Sequence, residues 1–132
     1  MTVGLLVITH NQIGRELIDT AASILGNNAL DVHFISVSAN LKPQDLGSYT
    51  DQIKNTLDEM DSGGGVLILT DLCGATPYNL AHNFAVKSNI IVVSGINLPM
   101  LLRVLSYRHQ PLQQLSLTAI EGACKGVAQD CS

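Results

Sequence analysis

The sequence predicts an α/β protein with an open, doubly wound parallel sheet of strand order 2-1-3-4 and helices on both faces. Three observations favour this fold. Short apolar runs alternate with amphipathic segments, the connections between them are short, and the 132 residues contain no visible linker, internal repeat or low-complexity segment. Parallel strands joined by right-handed crossover helices accommodate such an alternation. We therefore expect residues 1–132 to form one domain.

The first strand and the first helix are predicted over residues 3–9 and 13–24. Val3–Thr9 is a continuous run rich in Val, Ile and Leu, too short for a helix and typical of a strand buried on both faces. The next apolar residues recur every three or four positions, at Ile13, Leu17, Ala21 and Ile24. Gly26 follows them and is expected to end the helix.

The same alternation then repeats. Val32–Val37 is predicted as the second strand, and Pro43 leads into a second helix. The apolar face of that helix consists of Leu46, Tyr49, Ile53, Leu57 and Met60. Three glycines at positions 63–65 are expected to end it, and Val66–Thr70 forms the third strand.

The third helix is predicted to begin at Thr76-Pro77, with Thr76 as N-cap and Pro77 as first helical residue. Its apolar residues are Leu80, Ala81, Phe84 and Ala85. Ile90–Ser94 is the fourth strand, and Pro99 opens a helix that carries Met100, Leu101, Val104 and Leu105. The tail after Pro111 contains good helix formers, but its last ten residues fit a helix, an edge strand or a frayed end.

Charge and composition exclude several classes of function. Seven Lys and Arg against eleven Asp and Glu give a formal net charge of −4, without any basic cluster. Neither nucleic acid nor an anionic lipid surface is therefore an expected partner. Although 46% of the residues are hydrophobic, no apolar run approaches the roughly 20 residues of a membrane-spanning helix. We expect a soluble protein with a protein or small-molecule partner.

The cysteines and the N-terminus indicate a cytoplasmic location. Cys73, Cys124 and Cys131 are odd in number, widely spaced and without a CxxC pair. This pattern suits a reducing compartment better than a disulfide framework. The first ten residues lack the basic region and the small-residue cleavage site of a secretory signal.

A histidine and an aspartate end the two strands between which the connections diverge. In a 2-1-3-4 sheet, ligands bind beyond the carboxyl ends of strands one and three. Thr9-His10-Asn11 ends the first strand and Thr70-Asp71-Leu72 ends the third, so His10 and Asp71 are expected side by side, with Thr9 as a candidate pocket residue. The carboxylate would fix the tautomer of the imidazole and leave its other nitrogen nucleophilic. The alternative, a half-buried histidine beside a capping aspartate, is disfavoured by this position.

The loop after Asp71 is a candidate seat for a phosphoryl group. Small residues at Gly74 and Ala75 let the backbone approach a ligand, and the following helix presents free N–H groups and its positive dipole end. Thr76 adds a hydroxyl. Asn97, in a strand-to-helix turn at the same edge, is a further candidate pocket residue, although turn chemistry alone explains it equally well.

Other chemistries fit the residues less well. A cysteine phosphatase loop starting at Cys73 would need arginine where Asn79 stands, and a serine hydrolase would show a GxSxG elbow. A phosphoaspartate receiver would carry an acidic pair where Thr9-His10 stands. The remaining histidines lack the spacing of zinc ligands: His33, His82 and His109.

Three co-linear motifs give the chain a family resemblance. Residues 9–17 contain a THxxxGxEL pattern, residues 70–79 are TDLCGATPYN, and residues 95–101 are GINLPML. Together they resemble the enzyme IIA (EIIA) domain of the mannose family of the bacterial phosphoenolpyruvate-dependent sugar phosphotransferase system (PTS). The resemblance extends over essentially the whole chain, with the motifs in the right order and spacing.

The resemblance implies that His10 accepts a phosphoryl group from the phosphohistidine of the carrier HPr and passes it to an enzyme IIB (EIIB) protein or domain. Asp71 would orient and stabilise the His10 ring, while Thr76 and the amides around Gly74 and Ala75 would hold the phosphoryl oxygens. The family forms homodimers that exchange a C-terminal edge element, and needs no metal or organic cofactor. A membrane would be involved only indirectly, through a transport complex.

The chain departs from the family pattern directly after Asp71. The family often has a threonine and an aromatic residue there, whereas this chain has Leu72 and Cys73, so one hydroxyl contact to phosphate is lost. The destination of the phosphoryl group also stays open: sugar uptake through a separate EIIB, a stand-alone regulatory role, or the phosphocarrier subunit of a dihydroxyacetone kinase. The intact DLCGATPYN segment favours the sugar-transport branch.

Overall fold

Four parallel strands form one sheet in the order β2-β1-β3-β4, as the sequence predicts. The computed structural model describes residues 2–26, 31–60, 63–86 and 89–131. The strands are β1 (Gly4–His10), β2 (His33–Val37), β3 (Val66–Thr70) and β4 (Ile90–Val93). The helices are α1 (Ile13–Leu25), α2 (Leu46–Met60), α3 (Thr76–His82), α4 (Leu98–Ser106) and α5 (Leu112–Lys125). A short 3-10 turn, Pro43–Asp45, leads into α2.

Helices cover both faces of the sheet. On one face, α1, α4 and α5 pack against alternate strand residues in a cluster that includes Leu5, Val7, Leu67, Leu69, Ile18, Met100, Leu101 and Leu115. On the other face, α2 and α3 pack against the intervening strand residues in a cluster that includes Leu6, Ile8, Ile68, Ile53, Leu57 and Leu80. Strands covered on both sides are apolar at successive positions. The doubly wound arrangement is therefore confirmed.

The switch point of the sheet lies between β1 and β3. The α1 connection leads from β1 to β2 on one face, and α2 carries the chain back across the other face to β3. The register pairs Ile8 with Thr70 and His10 with Val37. The carboxyl ends of β1 and β3 therefore reach the same edge, where a crevice for ligands is expected.

The start of α3 and the start of α4 each differ from the prediction by one residue. Ala75, in extended conformation, occupies the N-cap position of α3, so the prediction of Thr76 as N-cap is wrong and Thr76 is the first helical residue. The α4 helix begins at Leu98, before Pro99, because Asn97 Oδ1 accepts a hydrogen bond from the Met100 N–H at 2.8 Å. A side-chain cap of this kind satisfies one of the free amides of the first turn.

The α3 helix is also shorter than predicted and ends at His82. Beyond Asn83, the N–H groups of Phe84 and Ala85 donate to carbonyls three residues back, at Ala81 and His82. Such bonds tighten the chain into 3-10-like turns, and the α-helical pattern stops.

The tail after Pro111 forms α5, which packs against α4. None of the described residues from 126 to 131 is part of a strand, and Ser132 lies outside the described residues. The exchanged C-terminal edge element therefore stays a prediction. Within the described part of the chain, no helix combines the length and the apolar character needed to cross a membrane.

Candidate functional site

His10, the last residue of β1, lies against Asp71, the residue that follows β3. Asp71 Oδ2 accepts a hydrogen bond from the backbone N–H of His10 at 3.0 Å and lies 2.8 Å from Nδ1 of the His10 ring. Because an ionised carboxylate only accepts hydrogen bonds, Nδ1 carries a proton in this pair. The neutral ring then presents Nε2 as its unprotonated nitrogen.

The His10 and Asp71 side chains are held in place yet remain accessible. Their exposed fractions are 27% and 13%. No partner for Nε2 occurs among the described residues, whereas Nδ1 is engaged by Asp71. A histidine that is anchored through one nitrogen and unoccupied at the other is arranged for nucleophilic attack.

Thr9 is fully buried beside His10. Its Oγ1 accepts a hydrogen bond from the Gly14 N–H at 2.9 Å and donates to the His10 carbonyl at 3.2 Å. The hydroxyl therefore connects β1 with the first turn of α1. Thr9 therefore acts on the surroundings of His10 through these two hydrogen bonds, which hold the end of β1 against α1.

A two-residue connection joins β1 to α1, and its first residue is Asn11. The backbone of Asn11 has a φ of +48°, a left-handed conformation that asparagine tolerates better than most residues. The Asn11 N–H donates to the Val37 carbonyl at 2.8 Å, and its own carbonyl accepts from Ser36 Oγ at 2.8 Å. Its side-chain Oδ1 accepts from the Ala39 N–H at 3.1 Å.

Asn11 and Ser36 were not among the residues selected from the sequence. The available signal was an asparagine directly after the strand-end histidine, because asparagine is favoured where a tight turn needs positive φ. Ser36 gave no such signal, since its position near Asn11 is set by the pairing of β2 with β1.

The predicted phosphoryl-binding residues lie in the loop after Asp71 and at the first residue of α3, Thr76. Gly74 is exposed and has a φ of +86°, and its carbonyl accepts from Asn79 Nδ2 at 3.1 Å. The Ala75 N–H closes a turn onto the Leu72 carbonyl at 3.2 Å. Within the described residues, neither the Gly74 N–H nor the Thr76 hydroxyl has a protein partner. The loop leads into α3, which packs against β1 and β3.

Asn97 lies at the same edge of the sheet but is bonded to other elements. In addition to capping α4, its Nδ2 donates to the Ala123 carbonyl of α5 at 3.3 Å. The described residues show no hydrogen bond from Asn97 to His10 or Asp71. The structure thus brings His10 and Asp71 together, with residues 74–76 following Asp71 closely in the chain, and places Asn97 at the junction of α4 and α5.

Two exposed apolar side chains lie close to His10 and Asp71 in the chain. Ile13 and Leu72 are large apolar residues with 51% and 59% of their surface exposed. A shallow groove runs along α1 beside the site and is lined by Gln12, Ile13, Glu16, Leu17, Thr20 and Leu98. In the described residues, no group of three or more His, Cys, Asp or Glu is placed to hold a metal ion.

Comparison with known proteins gives consistent results. Residues 4–121 match the EIIA-man family, described as "PTS system fructose IIA component". The chain is 29% identical over 130 residues to the PTS system mannose-specific EIIAB component of Escherichia coli K12, which covers 96% of this chain and 39% of that protein. It is 29% identical over 134 residues to the PTS system fructose-specific EIIA component of Bacillus subtilis 168, covering 98% of this chain and 87% of that protein.

The chain therefore spans about two fifths of the E. coli protein that it matches. Among solved structures, it is similar to the mannose/sorbose specific IIA subunit of the phosphotransferase system from Enterococcus faecalis. The TM-score is 0.86 and the identity 23%, with 100% of this chain and 97% of that chain covered. At this level of identity, the likeness shows a shared fold.

Proposed function

Since the chain belongs to the EIIA-man family of PTS components, we propose that it is a phosphocarrier that takes a phosphoryl group from phospho-HPr on His10 and passes it to an EIIB partner for sugar uptake. The observation that carries this proposal is the His10–Asp71 pair at the switch point of the sheet. Nδ1 is anchored to a carboxylate oxygen at 2.8 Å, which directs the chemistry to Nε2.

In the proposed transfer, His10 Nε2 attacks the phosphorus of the phosphohistidine on HPr. The phosphorus–nitrogen bond of the donor breaks as the new bond to Nε2 forms, and the electron pair of the broken bond stays with the donor histidine. His10 then carries a phosphoryl group on Nε2 and a proton on Nδ1, so the ring gains positive charge. Asp71 stabilises that charge and holds the ring in position. In the next step a nucleophile of EIIB attacks the phosphorus on His10, and the bond to Nε2 breaks as the phosphoryl group moves to EIIB.

We also propose that the 74–76 loop holds the phosphoryl oxygens. The Gly74 N–H and the Thr76 hydroxyl are two donors with no protein partner among the described residues, and they follow Asp71 closely in the chain. The Ala75 N–H is bonded to the Leu72 carbonyl, so its contribution requires that turn to open. Thr9 would support the pocket from β1 through its bond to Gly14 of α1, and Asn97 from the turn that caps α4.

The surroundings of the site support protein partners. An apolar groove and two exposed apolar side chains beside a histidine suit docking of another protein, because such surfaces are stabilised by burial. A homodimer and a cytoplasmic location also belong to the proposal. The second is supported by Cys73, Cys124 and Cys131, which are all free and exposed and so fit a reducing compartment.

The proposal is tested by incubating the protein with phosphoenolpyruvate, enzyme I and HPr, and measuring its intact mass. We expect one added phosphoryl group that is acid-labile and base-stable, and none in His10→Ala. His33→Ala, which changes an exposed histidine at the start of β2, is the matched control and should be labelled like the wild type. Labelling of His10→Ala to the wild-type extent would overturn the proposal.

Transfer onward is tested separately. The isolated phosphoprotein is mixed with a mannose-family EIIB protein, and the loss of its phosphoryl group is followed with time. Transfer to EIIB is the expected result. A phosphoprotein that keeps its group in the presence of EIIB would contradict the transport role while leaving phosphorylation of His10 intact.

A further inference from the structure

We propose that Asn11 is a positioning residue for His10, and that its left-handed backbone and its side-chain amide keep the His10 ring on Asp71. This inference rests on the proposed function of His10 as phosphoryl acceptor. It concerns a residue that makes no bond to Asp71 and that acts through the geometry of the end of β1.

The first step of the argument is the length of the connection. The β1 strand ends at His10 and α1 begins at Ile13, so only Asn11 and Gln12 turn the chain from strand to helix. Gln12, at the N-cap position, has a φ of −99° and makes no side-chain cap. The unusual conformation in the turn is therefore that of Asn11, with its φ of +48°.

The second step is the number of bonds that hold Asn11 in this conformation. Its N–H, its carbonyl and its Oδ1 bond respectively to Val37, Ser36 and Ala39, at 2.8, 2.8 and 3.1 Å. Although Asn11 is exposed, both of its oxygens are thus engaged by β2 and the residues just after it. We refer to these three bonds as the Asn11 clamp.

The third step is how the clamp acts on His10. From the side of β3, a single oxygen of Asp71 accepts from both the His10 backbone N–H and the ring Nδ1. From the side of β2, the clamp fixes the peptide that follows His10. The backbone is therefore fixed on both sides of the His10 Cα. This restricts His10 to the backbone conformation in which its ring contacts Asp71. Releasing the clamp would let the His10 backbone rotate and would lengthen both bonds to Asp71 together.

Three substitutions at Asn11 separate the backbone from the side chain. Asn11→Gly keeps the left-handed conformation at no steric cost but removes the Oδ1 acceptor. Asn11→Ala removes the acceptor and also disfavours positive φ. Asn11→Asp keeps an oxygen for the Ala39 N–H and tolerates positive φ. Ser36→Ala removes the bond to the Asn11 carbonyl without changing Asn11 itself.

The first measurement is the nitrogen NMR spectrum of the His10 ring in unphosphorylated protein, at a pH where the ring is neutral. We expect one dominant tautomer with the proton on Nδ1 in the wild type and in Asn11→Asp. In Asn11→Ala we expect a second population with the proton on Nε2. The same population should be present but smaller in Asn11→Gly and Ser36→Ala. This spectrum reports the ring–carboxylate bond, which a loss of stability elsewhere would not change.

The second measurement is the rate of phosphoryl transfer from phospho-HPr. Misplacing a reacting group by a fraction of an ångström reduces the rate, so we expect a loss of about tenfold in Asn11→Ala and about threefold in Asn11→Gly. Asn11→Asp should remain within about twofold of the wild type. The matched control is Asp45→Ala, which deletes another side-chain acceptor far from Asn11 in the chain, the one that binds the Lys42 N–H at 2.9 Å. This control should leave the ring spectrum and the rate unchanged.

Retention of the wild-type tautomer and rate in Asn11→Ala and Asn11→Gly would overturn the positioning role. If Asn11→Ala does not fold, Asn11→Gly and Ser36→Ala provide the same test. The outcome is distinguishable from a failure of the proposed function. A wild-type protein that accepts no phosphoryl group refutes the phosphocarrier role, whereas the ring spectrum still decides whether Asn11 positions His10.

Discussion

One oxygen of Asp71 determines both where the His10 ring stands and how it is turned. Asp71 Oδ2 accepts from the His10 backbone N–H at 3.0 Å and lies 2.8 Å from ring Nδ1. The first bond fixes the position of the backbone and the second fixes the orientation of the ring. Asp71 Oδ1 is buried and has no partner among the described residues, so the carboxylate is committed to His10.

The charge of Asp71 should matter more than its shape. Asp71→Asn keeps a similar side chain but loses the negative charge that stabilises the ring once phosphorus is bound, so we expect transfer to slow by about ten- to a hundredfold. The rate is measured by quenching the reaction at set times and quantifying the phosphoprotein. Circular dichroism should show that the fold is retained. Asp58→Asn, at an exposed position of α2, is the control. Unchanged kinetics in Asp71→Asn would contradict the role of the carboxylate.

The hydroxyl of Thr76 should contribute to phosphoryl binding. A hydrogen bond to a charged group contributes about 1.5–3 kcal/mol, so Thr76→Val is expected to lower the transfer rate by about tenfold or more. Thr76→Ser keeps the hydroxyl and should transfer at nearly the wild-type rate. Rates are compared at equal HPr concentration. Equal rates for the valine and serine variants would exclude the hydroxyl from the transfer step.

Gly14 should tolerate no side chain. A Cβ at this position would lie 2.6 Å from Phe34 Cε1 and 2.7 Å from Val7 Cγ1, so Gly14→Ala forces the half-buried Phe34 and the buried Val7 to move. We expect a loss of about 1–3 kcal/mol in the free energy of unfolding, measured by urea denaturation. Gly47→Ala, in α2 with no atom near the added Cβ, should be at least as stable as the wild type. A Gly14→Ala protein of wild-type stability would show that Phe34 and Val7 shift easily.

Asn97 should act mainly as a helix cap. Asn97→Ala removes the acceptor for the Met100 N–H and is expected to cost about 1 kcal/mol of stability, seen as a lower thermal midpoint. Asn97→Asp keeps the acceptor but loses the Nδ2 donor to the Ala123 carbonyl, so it should restore only part of this loss. The phosphoryl-transfer rate of Asn97→Asp separates the two roles, since a wild-type rate is expected for a cap. A reduced rate at preserved stability would instead assign Asn97 to the pocket.

The strands could be predicted from local patterns, and the His10–Asp71 pair from those strands combined with the expected 2-1-3-4 order. Val3–Thr9 and Val66–Thr70 show their burial by uninterrupted apolar sequence, and parallel strands place their carboxyl ends at one edge. The residues that follow such strands must then meet. The confirmed order β2-β1-β3-β4 is the part of the prediction on which this placement depends.

The Asn11 clamp and the partners of Thr9 could not be predicted in the same way. They depend on where β1, β2 and α1 end relative to one another. A shift of one residue would give Asn11 and Thr9 different hydrogen-bond partners. The end of α3 is a similar case, because the choice between four- and three-residue hydrogen bonds at Phe84 and Ala85 is decided by packing rather than by helix propensity.

The bond between His10 Nδ1 and Asp71 also has a kinetic consequence. With one ring nitrogen engaged, a donor and an acceptor that both react at Nε2 must approach from the same direction, and the two cannot be bound at once. Turnover would then follow an alternating, ping-pong order in which discharged donor inhibits the acceptor by competition. Because each partner must leave before the next one binds, slow dissociation of either partner would limit the net flux through such a carrier.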